Sequence, residues 1–557
     1  MPEQPDAPLQ HAPAEDNSSG RAPGGPGAVA AVVVLAAGEG KRMRSARSKL
    51  LHEVAGHSLL SYAVTAATTL QPQHVVVVVG HLREQVEAHL DEIAPHVTTV
   101  VQEEQRGTGH AVQVALAALP ELSGEVVVTY GDVPMLDGDT LAGLLADHRA
   151  QGAAVTVLTA QVADPTGYGR VVRDAGGHVE AVVEHRDADE HQRTISEINS
   201  GIYVFEAATL RQGLAGLQPD NAQGELYLTD VLASARRDGG LVSAHLTEDA
   251  WLTEGVNDRV QLSRINLEVN RRLLDRWMRA GVTVVDPATT WVHASVDLGT
   301  DVTLLPGTTL EGATSVAAGA VVGPDTTLVD VEVGERAHVS RTHASLAVIG
   351  PDVSVGPFAH LRPGTRLGAG AKVGTFVETK NAQLGAGAKV PHLSYVGDAV
   401  LGDGANIGAG VVFANYDGVH KATTTVGAFS FVGSNSVLTA PVVVADGAYV
   451  AAGSTITSDV EIGALAVSRG RQRNVAGWVV RKRAGTRTAR AAEAAAAGPD
   501  PVGEAAEQDQ TATAAPLQTQ QAQPAPVQDQ QVLQQAHDHP GGDQRPGPQD
   551  DEGNAHG

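Results

Sequence analysis

The chain has 557 residues and no cysteine, so disulfides, thiolate metal sites and a thiol nucleophile are all excluded. Aromatic residues make up only 3% of the sequence, whereas glycine occurs 62 times. Few rings and many small residues suit a thin, regular core built from repeats better than a bulky globule. The apolar run AVAAVVVLAA at 28–37 is about half of the ~20 residues that a membrane helix needs, so no membrane partner is expected.

Cations are also scarce, with 39 Lys and Arg against 64 Asp and Glu and a net charge of −25. Such a balance argues against non-specific nucleic-acid binding. It does not exclude an anionic substrate, because a local pocket of Arg and Lys can oppose the global sign. The N-terminus is acidic and proline-rich and lacks the cationic segment of a signal peptide, so we expect a cytoplasmic protein.

Both ends of the chain have the composition of disordered segments. Residues 1–27 are rich in Pro, Gly, Ala and acids, and residues 485–557 are rich in Gln, Pro, Ala and acids. Neither can bury enough apolar surface to fold, so both are predicted to be disordered tails. The histidines of HDHP in the C-terminal tail are too few to indicate a metal site.

Residues 28–256 alternate between apolar strand patterns and amphipathic helix patterns. AVVVLAA, HVVVVVG, VTTVVQ, EVVVTYGD and AVTVLTA are near-continuous aliphatic runs, as expected for strands covered on both faces. LLSYAVTAATTL, LREQVEAHLDEI, HAVQVALAAL and DTLAGLLADHRA fit helices between them. The alternation predicts a doubly wound, Rossmann-like α/β sheet, in which ligands bind beyond the carboxyl ends of the strands.

A helix is predicted over about 258–280, within a linking segment assigned to 257–285. Apolar residues recur there at three- and four-residue steps, and Gly281 suits the position just after a helix end. The helix is interpreted as the connection between two domains. An ordinary packing helix would show the same pattern.

Beyond about residue 290 the period of the apolar residues changes to six, within a domain assigned to 286–484. Three separate series carry it: Leu298, Leu304, Leu310, Val316, Val322 and Leu328; Ile349, Val355, Leu361, Leu367 and Val373; and Val426, Val432, Leu438, Val444, Val450, Ile456 and Ile462. Hexads of this kind indicate a parallel β-helix, in which each short strand points one aliphatic side chain inward.

The first candidate site is VVVLAAGEGKRM at 32–43, where an apolar strand runs into a glycine-bearing turn. It lacks the third glycine of a dinucleotide fingerprint and the Gly-Lys-Ser/Thr of a P-loop. Arg42 and Lys49 stand close to the turn, and the combination can cradle a polyphosphate. Asp132 at the end of another strand would serve a magnesium ion brought by the phosphates, with Asn257 as an amide ligand. Alternatively, Asp132 only initiates the turn before Val-Pro.

The second candidate site is KVPHLSYVGD, which interrupts the hexads and presents His392 and Tyr395. An unperturbed imidazole titrates near pH 6.5 and suits deprotonation of an amine. A lone histidine is, however, more often structural than catalytic.

The order of motifs resembles a known enzyme family. LAAGEGKRM, Lys49, QEEQRGTGHA, YGDVP, DPTGYGRVV, VVEH, EINSGIY and EGVN resemble the sugar-nucleotide pyrophosphorylases. Continued by hexads, they resemble the family of bifunctional N-acetylglucosamine-1-phosphate uridyltransferases/glucosamine-1-phosphate N-acetyltransferases, over about residues 28–480. The resemblance implies a nucleotidyltransferase domain at 28–256 followed by a left-handed β-helix acetyltransferase domain.

For the first domain, the resemblance implies in-line attack of a sugar phosphate on the α-phosphorus of UTP, with magnesium. Arg42 and Lys49 would meet the triphosphate, and Asp132 with Asn257 the metal. The implied nucleotide and sugar contacts are Leu35, Ala36, Ala37, Gly38, Gln102, Gly107, Thr108, Tyr130, Gly131, Gly169, Glu184 and Asn199.

For the second domain, the resemblance makes His392 the general base that frees the glucosamine amine to attack acetyl-CoA. The implied contacts of the sugar phosphate are Arg362, Lys380, Tyr395 and Asn406. The implied contacts of acetyl-CoA are Ala409, Asn415, Tyr416, Ser434, Ala452 and Arg469. Without the family, Arg362 and Lys380 would also fit exposed corners of the prism.

Three functional hypotheses remain at this point. The first is a two-activity enzyme that acetylates glucosamine-1-phosphate and then uridylates the product, in peptidoglycan precursor synthesis, as a homotrimer. The second is a nucleotidyltransferase whose β-helix only oligomerises or binds an effector. The third is a non-enzymatic, repeat-built assembly module. His392, Arg362, Lys380 and the FANYDGVHK insertion favour the first, because a scaffold needs none of them.

Overall fold

The computed structural model describes residues 28–221 and 223–498. The predicted disorder of 1–27 lies outside the described residues, as does that of nearly all of 485–557. The described chain falls into two units, 28–470 and 471–498, and each is treated by itself.

The first part of the larger unit is an α/β sheet. Its strands, with the separate hairpin β2–β3, are β1 Ala31–Ala36, β2 Glu53–Val54, β3 His57–Ser58, β4 His74–Val79, β5 Thr98–Val101, β6 Glu125–Tyr130, β7 Val155–Gln161, β8 Gly169–Arg173, β9 Val179–Val183, β10 Glu197–Glu206 and β11 Val242–Thr247. The five predicted strands correspond to β1, β4, β5, β6 and β7, which confirms the strand prediction.

Helices cover the sheet. They are α1 Leu59–Thr69, α2 Arg83–Ile93, α3 Thr108–Ala117, α4 Gly138–Gln151, α5 Glu190–Arg193, α6 Ala207–Ala215 and α7 Thr229–Arg237, with 3-10 turns at Lys41–Met43, Lys49–Leu51 and Ala250–Thr253. The four predicted helices correspond to α1–α4.

The order of the sheet is β11-β7-β10-β6-β1-β4-β5, with β8 and β9 attached through β10. Only β10 runs antiparallel along this path. The central strand β1 is buried at every residue, because helices pack on both faces of the sheet. The ends of β1 and β6 lie side by side, since Leu35 pairs with Tyr130 and Gly131 N–H donates to Leu35 O at 3.0 Å.

The predicted linking helix is α8, Arg259–Arg279, with Asp258 capping its N-terminus. Gly281 follows the C-cap with φ +99°, a conformation that favours glycine. Ile265 and Leu274 are buried, and they lie on opposite sides of a domain junction: Ile265 packs in a cluster with Met43, and Leu274 joins the core of the following domain.

Residues after α8 wind into a left-handed parallel β-helix. Its strands are β12 Thr283–Val284, β13 Trp291–Val292, β14 Asp297–Leu298, β15 Thr303–Leu304, β16 Thr308–Glu311, β17 Ser315–Val316, β18 Val321–Val322, β19 Thr326–Val329, β20 Glu332–Val333, β21 His338–Val339, β22 Thr342–Ser345, β23 Val348–Ile349, β24 Ser354–Val355, β25 Ala359–Leu361, β26 Arg366–Leu367, β27 Lys372–Thr375, β28 Glu378–Leu384, β29 Lys389–His392, β30 Tyr395–Leu401, β31 Asn406–Ile407, β32 Val412–Ala414, β33 Thr424–Val426, β34 Phe431–Val432, β35 Val437–Thr439, β36 Val442–Val444, β37 Tyr449–Val450, β38 Thr455–Ile456 and β39 Leu465–Ala466.

The hexad prediction holds for all but one of its named residues. From Leu298 to Ile456, each is buried in the single core that runs along the β-helix. Ile462 is the exception, because its side chain is 81% exposed. The last coil is short: Val444 pairs with Val460, which is 6% exposed and takes the inward position two residues earlier. The shortened coil therefore shifts the register, and the prediction for Ile462 was wrong.

The second unit contains α9, Trp478–Lys482, and α10, Arg487–Ala497. Arg483 lies over the Trp478 ring at 5.6 Å. No helix in the described part of the chain is both long and apolar enough to cross a membrane.

Candidate active sites

The predicted phosphate loop opens into a cavity of about 320 Å³ at the carboxyl ends of β1 and β6. Many of the predicted residues line it: Leu35, Ala36, Ala37, Gly38, Lys49, Gln102, Gly107, Thr108, Tyr130 and Asp132. They come from five separate segments of the sequence, and parallel strands bring them to one edge of the sheet.

Lys49 and Asp132 form an ion pair inside this cavity. Their side chains are only 12% and 16% exposed, so the pair is poorly screened by solvent. The loop before Lys49 is held close to it, since a Cβ added to Gly40 would lie 2.9 Å from Lys49 Cβ. Gly40 also has φ +60°, so this turn requires glycine on both counts. Arg42 lies in the following 3-10 turn with its side chain exposed.

Asn257 approaches Asp132 through the backbone. Val256 N–H donates to the main-chain oxygen of Asp132 at 2.9 Å, so the chain bearing Asn257 runs beside the end of β6. A carboxylate and an amide oxygen beside a phosphate loop suit magnesium, which takes few protein ligands and keeps water and phosphate in its shell. The described residues contain no group of three or more His, Cys, Asp or Glu side chains able to hold a metal. The donor set thus fits magnesium better than zinc.

Two glutamines organise the side of the cavity that the sequence predicted to bind uracil. The Gln102 side chain is 5% exposed, and its Nε2 donates to Gly107 O at 3.2 Å. Gln105 Nε2 donates to Ala37 O at 2.6 Å and so ties the phosphate loop to the next segment. Gln105 and Glu225 line the cavity but were not predicted. Gln105 lies within the QEEQRGTGHA motif that carried the resemblance, whereas no motif marked Glu225.

Of the predicted sugar residues, Tyr130 lines the cavity, whereas Gly169, Glu184 and Asn199 lie together outside its lining. A Cβ on Gly169 would lie 3.4 Å from Asn199 Cβ and 3.5 Å from Glu184 Oε1, so these three residues are neighbours. The buried Tyr203 hydroxyl, which was not predicted, donates to Asn199 Oδ1 at 2.9 Å. Pairing of β10 with β7 shifts between Asn199 and Tyr203, and this irregularity sets the direction of Asn199.

The pKa shifts of Tyr130 and Glu184 reflect the burial of these two side chains. Burial raises the pKa of Tyr130, and the charges of Glu184 and Asp132 raise it further. Burial likewise raises the pKa of the Glu184 carboxyl, assisted by Asp187 and Asp230. Gly131, also predicted, is buried against Leu50, Leu60 and Ala36 rather than on the cavity surface.

In the β-helix, one corner carries five of the predicted acetyl-site residues in successive coils. Gly410 N–H donates to His392 O at 3.4 Å, Asn435 N–H to Ala409 O at 2.8 Å, and Gly453 N–H to Ser434 O at 2.8 Å. Arg469 Nη1 donates to Ala452 O at 2.8 Å. His392, Ala409, Ser434, Ala452 and Arg469 therefore form one column, with the His392 side chain exposed. The small side chains of Ala409, Ser434 and Ala452 in this column leave room for a long, thin ligand.

A cationic cluster lies on the adjacent sheet. Arg362 Nη1 donates to Glu378 Oε1 at 2.9 Å, and Lys380 Nζ lies 3.8 Å from Asp398 Oδ2. Asn415 Nδ2 lies 3.5 Å from the Tyr395 hydroxyl. The pKa of Lys421 is lowered by a hydrogen bond and the charge of the neighbouring Lys380. Lys421 and Asp398 were not predicted, although Lys421 ends the FANYDGVHK insertion that was.

Two predicted residues are not brought into this cluster. Asn406 belongs to the other sheet, where it pairs with Lys389 and Phe431. Tyr416 is 59% exposed, and its hydroxyl donates within its own loop to Gly418 O at 2.6 Å.

The fold and the two sites define a class: a nucleotidyltransferase domain joined to a β-helix acyltransferase domain. Residues 32–198 match the family model of the MobA-like NTP transferase domain. Proteins named bifunctional protein GlmU are similar over nearly their whole length. That of Pseudarthrobacter chlorophenolicus is 55% identical over 84% of this chain and 95% of its own. That of Kineococcus radiotolerans is 56% identical over 84% of this chain and 96% of its own. That of Streptomyces avermitilis is 56% identical over 85% of this chain and 98% of its own.

The chain belongs to the GlmU family of bifunctional proteins. It is a transferase with two activities in UDP-N-acetylglucosamine synthesis for the cell wall: acetylation of glucosamine-1-phosphate by acetyl-CoA, and transfer of UMP from UTP to N-acetylglucosamine-1-phosphate. Its substrates are small molecules, and uridyl transfer uses magnesium.

Proposed function

We propose that the two activities are divided between residues 28–256, which transfer the uridyl group, and residues 286–484, which transfer the acetyl group, with 257–285 linking them. The main support is the ion pair of Lys49 and Asp132 inside the cavity of predicted nucleotide residues. A cation for phosphate and a carboxylate for a hard metal ion are thereby adjacent, as phosphoryl-type chemistry requires.

In the first site, Lys49 and Arg42 neutralise the triphosphate while backbone groups of 35–38 line it. Gln102, Gly107 and Thr108 bind the uracil edge, and Tyr130, Gly169, Glu184 and Asn199 hold the sugar, with the buried Gly131 packed behind the cavity surface. Asp132 and Asn257 hold magnesium, which supplies charge neutralisation at the phosphates. No covalent enzyme intermediate is needed, because positioning and charge neutralisation lower the barrier to in-line attack.

In the second site, His392 accepts the proton of the glucosamine amine as that amine attacks the thioester carbonyl and coenzyme A leaves. Its exposure at the corner gives the substrate access to the imidazole. Arg362, Lys380, Tyr395 and Asn406 hold the sugar phosphate. Asn415, Tyr416, Ala409, Ser434, Ala452 and Arg469 hold acetyl-CoA along the column of small residues, with Arg469 on the coenzyme phosphates.

The active assembly is a homotrimer whose acetyl sites form between neighbouring β-helices. This assembly is supported by the position of Asn406, which lies on a different sheet from the Lys380 cluster of its own chain, so that a second copy could supply an Asn406 to each cluster. An apolar column next to His392 offers a contact surface: Phe358, Phe376 and Leu393 are 55%, 60% and 61% exposed. The two phenylalanine rings stack at 5.5 Å. Exposed apolar patches of this kind mark interaction sites.

We place the protein in the cytoplasm, where UTP and acetyl-CoA are made and used. Incubation with glucosamine-1-phosphate, acetyl-CoA, UTP and magnesium, followed by mass analysis, should yield UDP-N-acetylglucosamine, pyrophosphate and coenzyme A. Omitting acetyl-CoA should leave glucosamine-1-phosphate largely unconverted. If UDP-glucosamine formed as fast without acetyl-CoA, the proposed order of the two reactions would be wrong.

A further inference from the structure

Asp398 lies where the residues assigned to the two acetyl-site substrates meet. It belongs to β30 and is 9% exposed. Its Oδ1 accepts a hydrogen bond from Asn381 Nδ2 at 2.9 Å. Its Oδ2 accepts one from Asn415 Nδ2 at 2.5 Å and also lies 3.8 Å from Lys380 Nζ. One carboxylate oxygen therefore serves both a sugar-phosphate residue and an acetyl-CoA residue.

The carboxylate is ionised despite its burial. Burial by itself would raise the pKa of Asp398, but hydrogen bonds from Asn381 and Asn415 and the charges of Lys380 and Lys421 outweigh it, and the pKa is lowered. A buried carboxylate is tolerated only when hydrogen bonds and opposite charges replace its hydration, and here all four neighbours contribute.

The same charge opposes repulsion between two lysines. Lys421 approaches from the far end of the 415–421 loop, where it pairs with Tyr416 in an isolated bridge. Its pKa is lowered by Lys380, while Asp398 acts in the opposite direction. Without the carboxylate, Lys380 and Lys421 would repel each other with nothing between them, and the loop that carries Asn415 would be pushed outward.

We propose that Asp398 is a positioning residue for acetyl transfer, which holds Lys380 and Asn415 in one arrangement and so couples the binding of glucosamine-1-phosphate to that of acetyl-CoA. The inference rests on the proposed function, which assigns these two residues to the two substrates. When the phosphate of the sugar attracts Lys380, Asp398 Oδ2 interacts with Asn415 alone. The hydrogen bond from Asn415 then becomes stronger and stabilises the 415–421 loop at the acetyl-CoA site. Binding of one substrate therefore favours the other, and the coupling is reciprocal.

The test is Asp398→Asn, with acetyl transfer assayed over both substrate concentrations. We expect the KM for acetyl-CoA and the KM for glucosamine-1-phosphate each to rise about tenfold, the effect of losing one hydrogen bond to a charged group. In the wild-type protein the KM for acetyl-CoA should fall as glucosamine-1-phosphate is raised, and in Asp398→Asn this dependence should disappear. Uridyl transfer should be unchanged.

Asp403→Asn is the control for loss of an aspartate charge in the same part of the β-helix, because Asp403 lies five residues further on at an exposed position. Its Oδ1 accepts a hydrogen bond from Ala386 N–H at 2.8 Å, but it contacts none of the assigned substrate residues. The control should leave both KM values unchanged, and the melting temperatures of both variants show whether either change merely destabilises the fold. Equal KM effects in the two variants, or a wild-type KM independent of the second substrate, would overturn the proposal.

A double-mutant cycle separates this inference from the site assignment. If Asp398 acts through Asn415, Asn415→Ala and Asp398→Asn should have less than additive effects on the KM for acetyl-CoA. An Asn415→Ala variant with normal KM would refute the assignment itself. A raised KM in Asn415→Ala combined with a normal KM in Asp398→Asn would refute only the role of Asp398. Should Asp398→Asn not fold, Asn381→Ala, which frees Oδ1, should raise both KM values in the same direction, and unchanged values would overturn the proposal.

Discussion

The Lys49 ammonium and the Asp132 carboxylate form an ion pair although 83 residues separate them in the sequence. The pair connects the glycine turn after β1 to the end of β6. It brings together the lysine that we propose contacts the triphosphate and the carboxylate that we propose binds magnesium. Three of the predictions below test the proposed division of the two activities between the two domains.

Replacing Asp132 with Ala should abolish uridyl transfer and spare acetyl transfer. Loss of the carboxylate removes the metal ligand and leaves Lys49 without its partner, so we expect a fall of about 10²–10³-fold in kcat. Coupled assays of pyrophosphate and coenzyme A release measure the two activities separately. Asp137→Ala, which removes the cap of α4 in the loop after β6, is the control and should leave both activities near wild type. Equal loss of both activities in Asp132→Ala would contradict the division.

Replacing His392 with Ala should have the opposite effect. Acetyl transfer should fall by about 10²–10⁴-fold, the usual contribution of a general base, while uridyl transfer from UTP to supplied N-acetylglucosamine-1-phosphate continues. His360→Ala is a suitable comparison, since His360 is also on the β-helix but packs edge-on against the ring of His343, with 5.4 Å between the ring centroids. If His392→Ala kept normal acetyl transfer, the general base would have to be a residue other than His392.

Replacing Phe376 with Asp should dissociate the proposed trimer. A charge in the apolar column disfavours its burial between copies, so the mass by light scattering should fall to that of one chain, 57.4 kDa. Acetyl transfer should be lost with the trimer and uridyl transfer kept. Leu246→Asp, at a residue 47% exposed in the first domain, should stay trimeric. A monomer with full acetyl activity would show that the sites do not require a second copy.

The stability contributed by Glu268 should depend on pH. Hydrogen bonds from Arg271, and then Arg272, lower the pKa of Glu268 to about 2, from an ordinary value of 4.5. Because the folded-state pKa is depressed, this stability is present above about pH 4.5 and is lost as the pH falls toward 2. Glu268→Gln should therefore lower the melting temperature clearly at pH 6 and less at pH 3.5. Asp91→Asn, at an exposed position of α2, should cause no such pH-dependent difference.

The register of the last coil can be tested by paired truncations. Val460→Ala removes a buried side chain and should cost about 1–2 kcal/mol of unfolding free energy, whereas Ile462→Ala should stay within about 0.5 kcal/mol. Urea denaturation followed by circular dichroism measures both. A larger loss of unfolding free energy for Ile462→Ala than for Val460→Ala would show that the six-residue period continues through the final coil.

The site residues that could be predicted from the sequence are those with a chemically reactive or charged side chain inside a recognisable motif. Asp132, Lys49 and His392 belong to this group. Asp398 was missed because its partners lie in other coils of the β-helix. Glu225 lines the cavity but belongs to no motif, and Tyr203 supports Asn199, four residues away, through its hydroxyl rather than contacting the ligand cavity itself. Asp398 is bound by Asn381 and Asn415, 17 residues before and after it, and that spacing is set by the length of β-helix coils.

The amino-acid sequence by itself determined the architecture. Continuous aliphatic runs specify strands covered on both faces, and a six-residue period specifies a narrow prism, since both patterns follow from local burial. The tertiary structure alone decided which coils are shortened, as at Val460, and which carboxylate lies between Lys380 and Asn415. These features depend on contacts between distant segments, whose geometry is set by packing and by the register of neighbouring coils rather than by any local pattern.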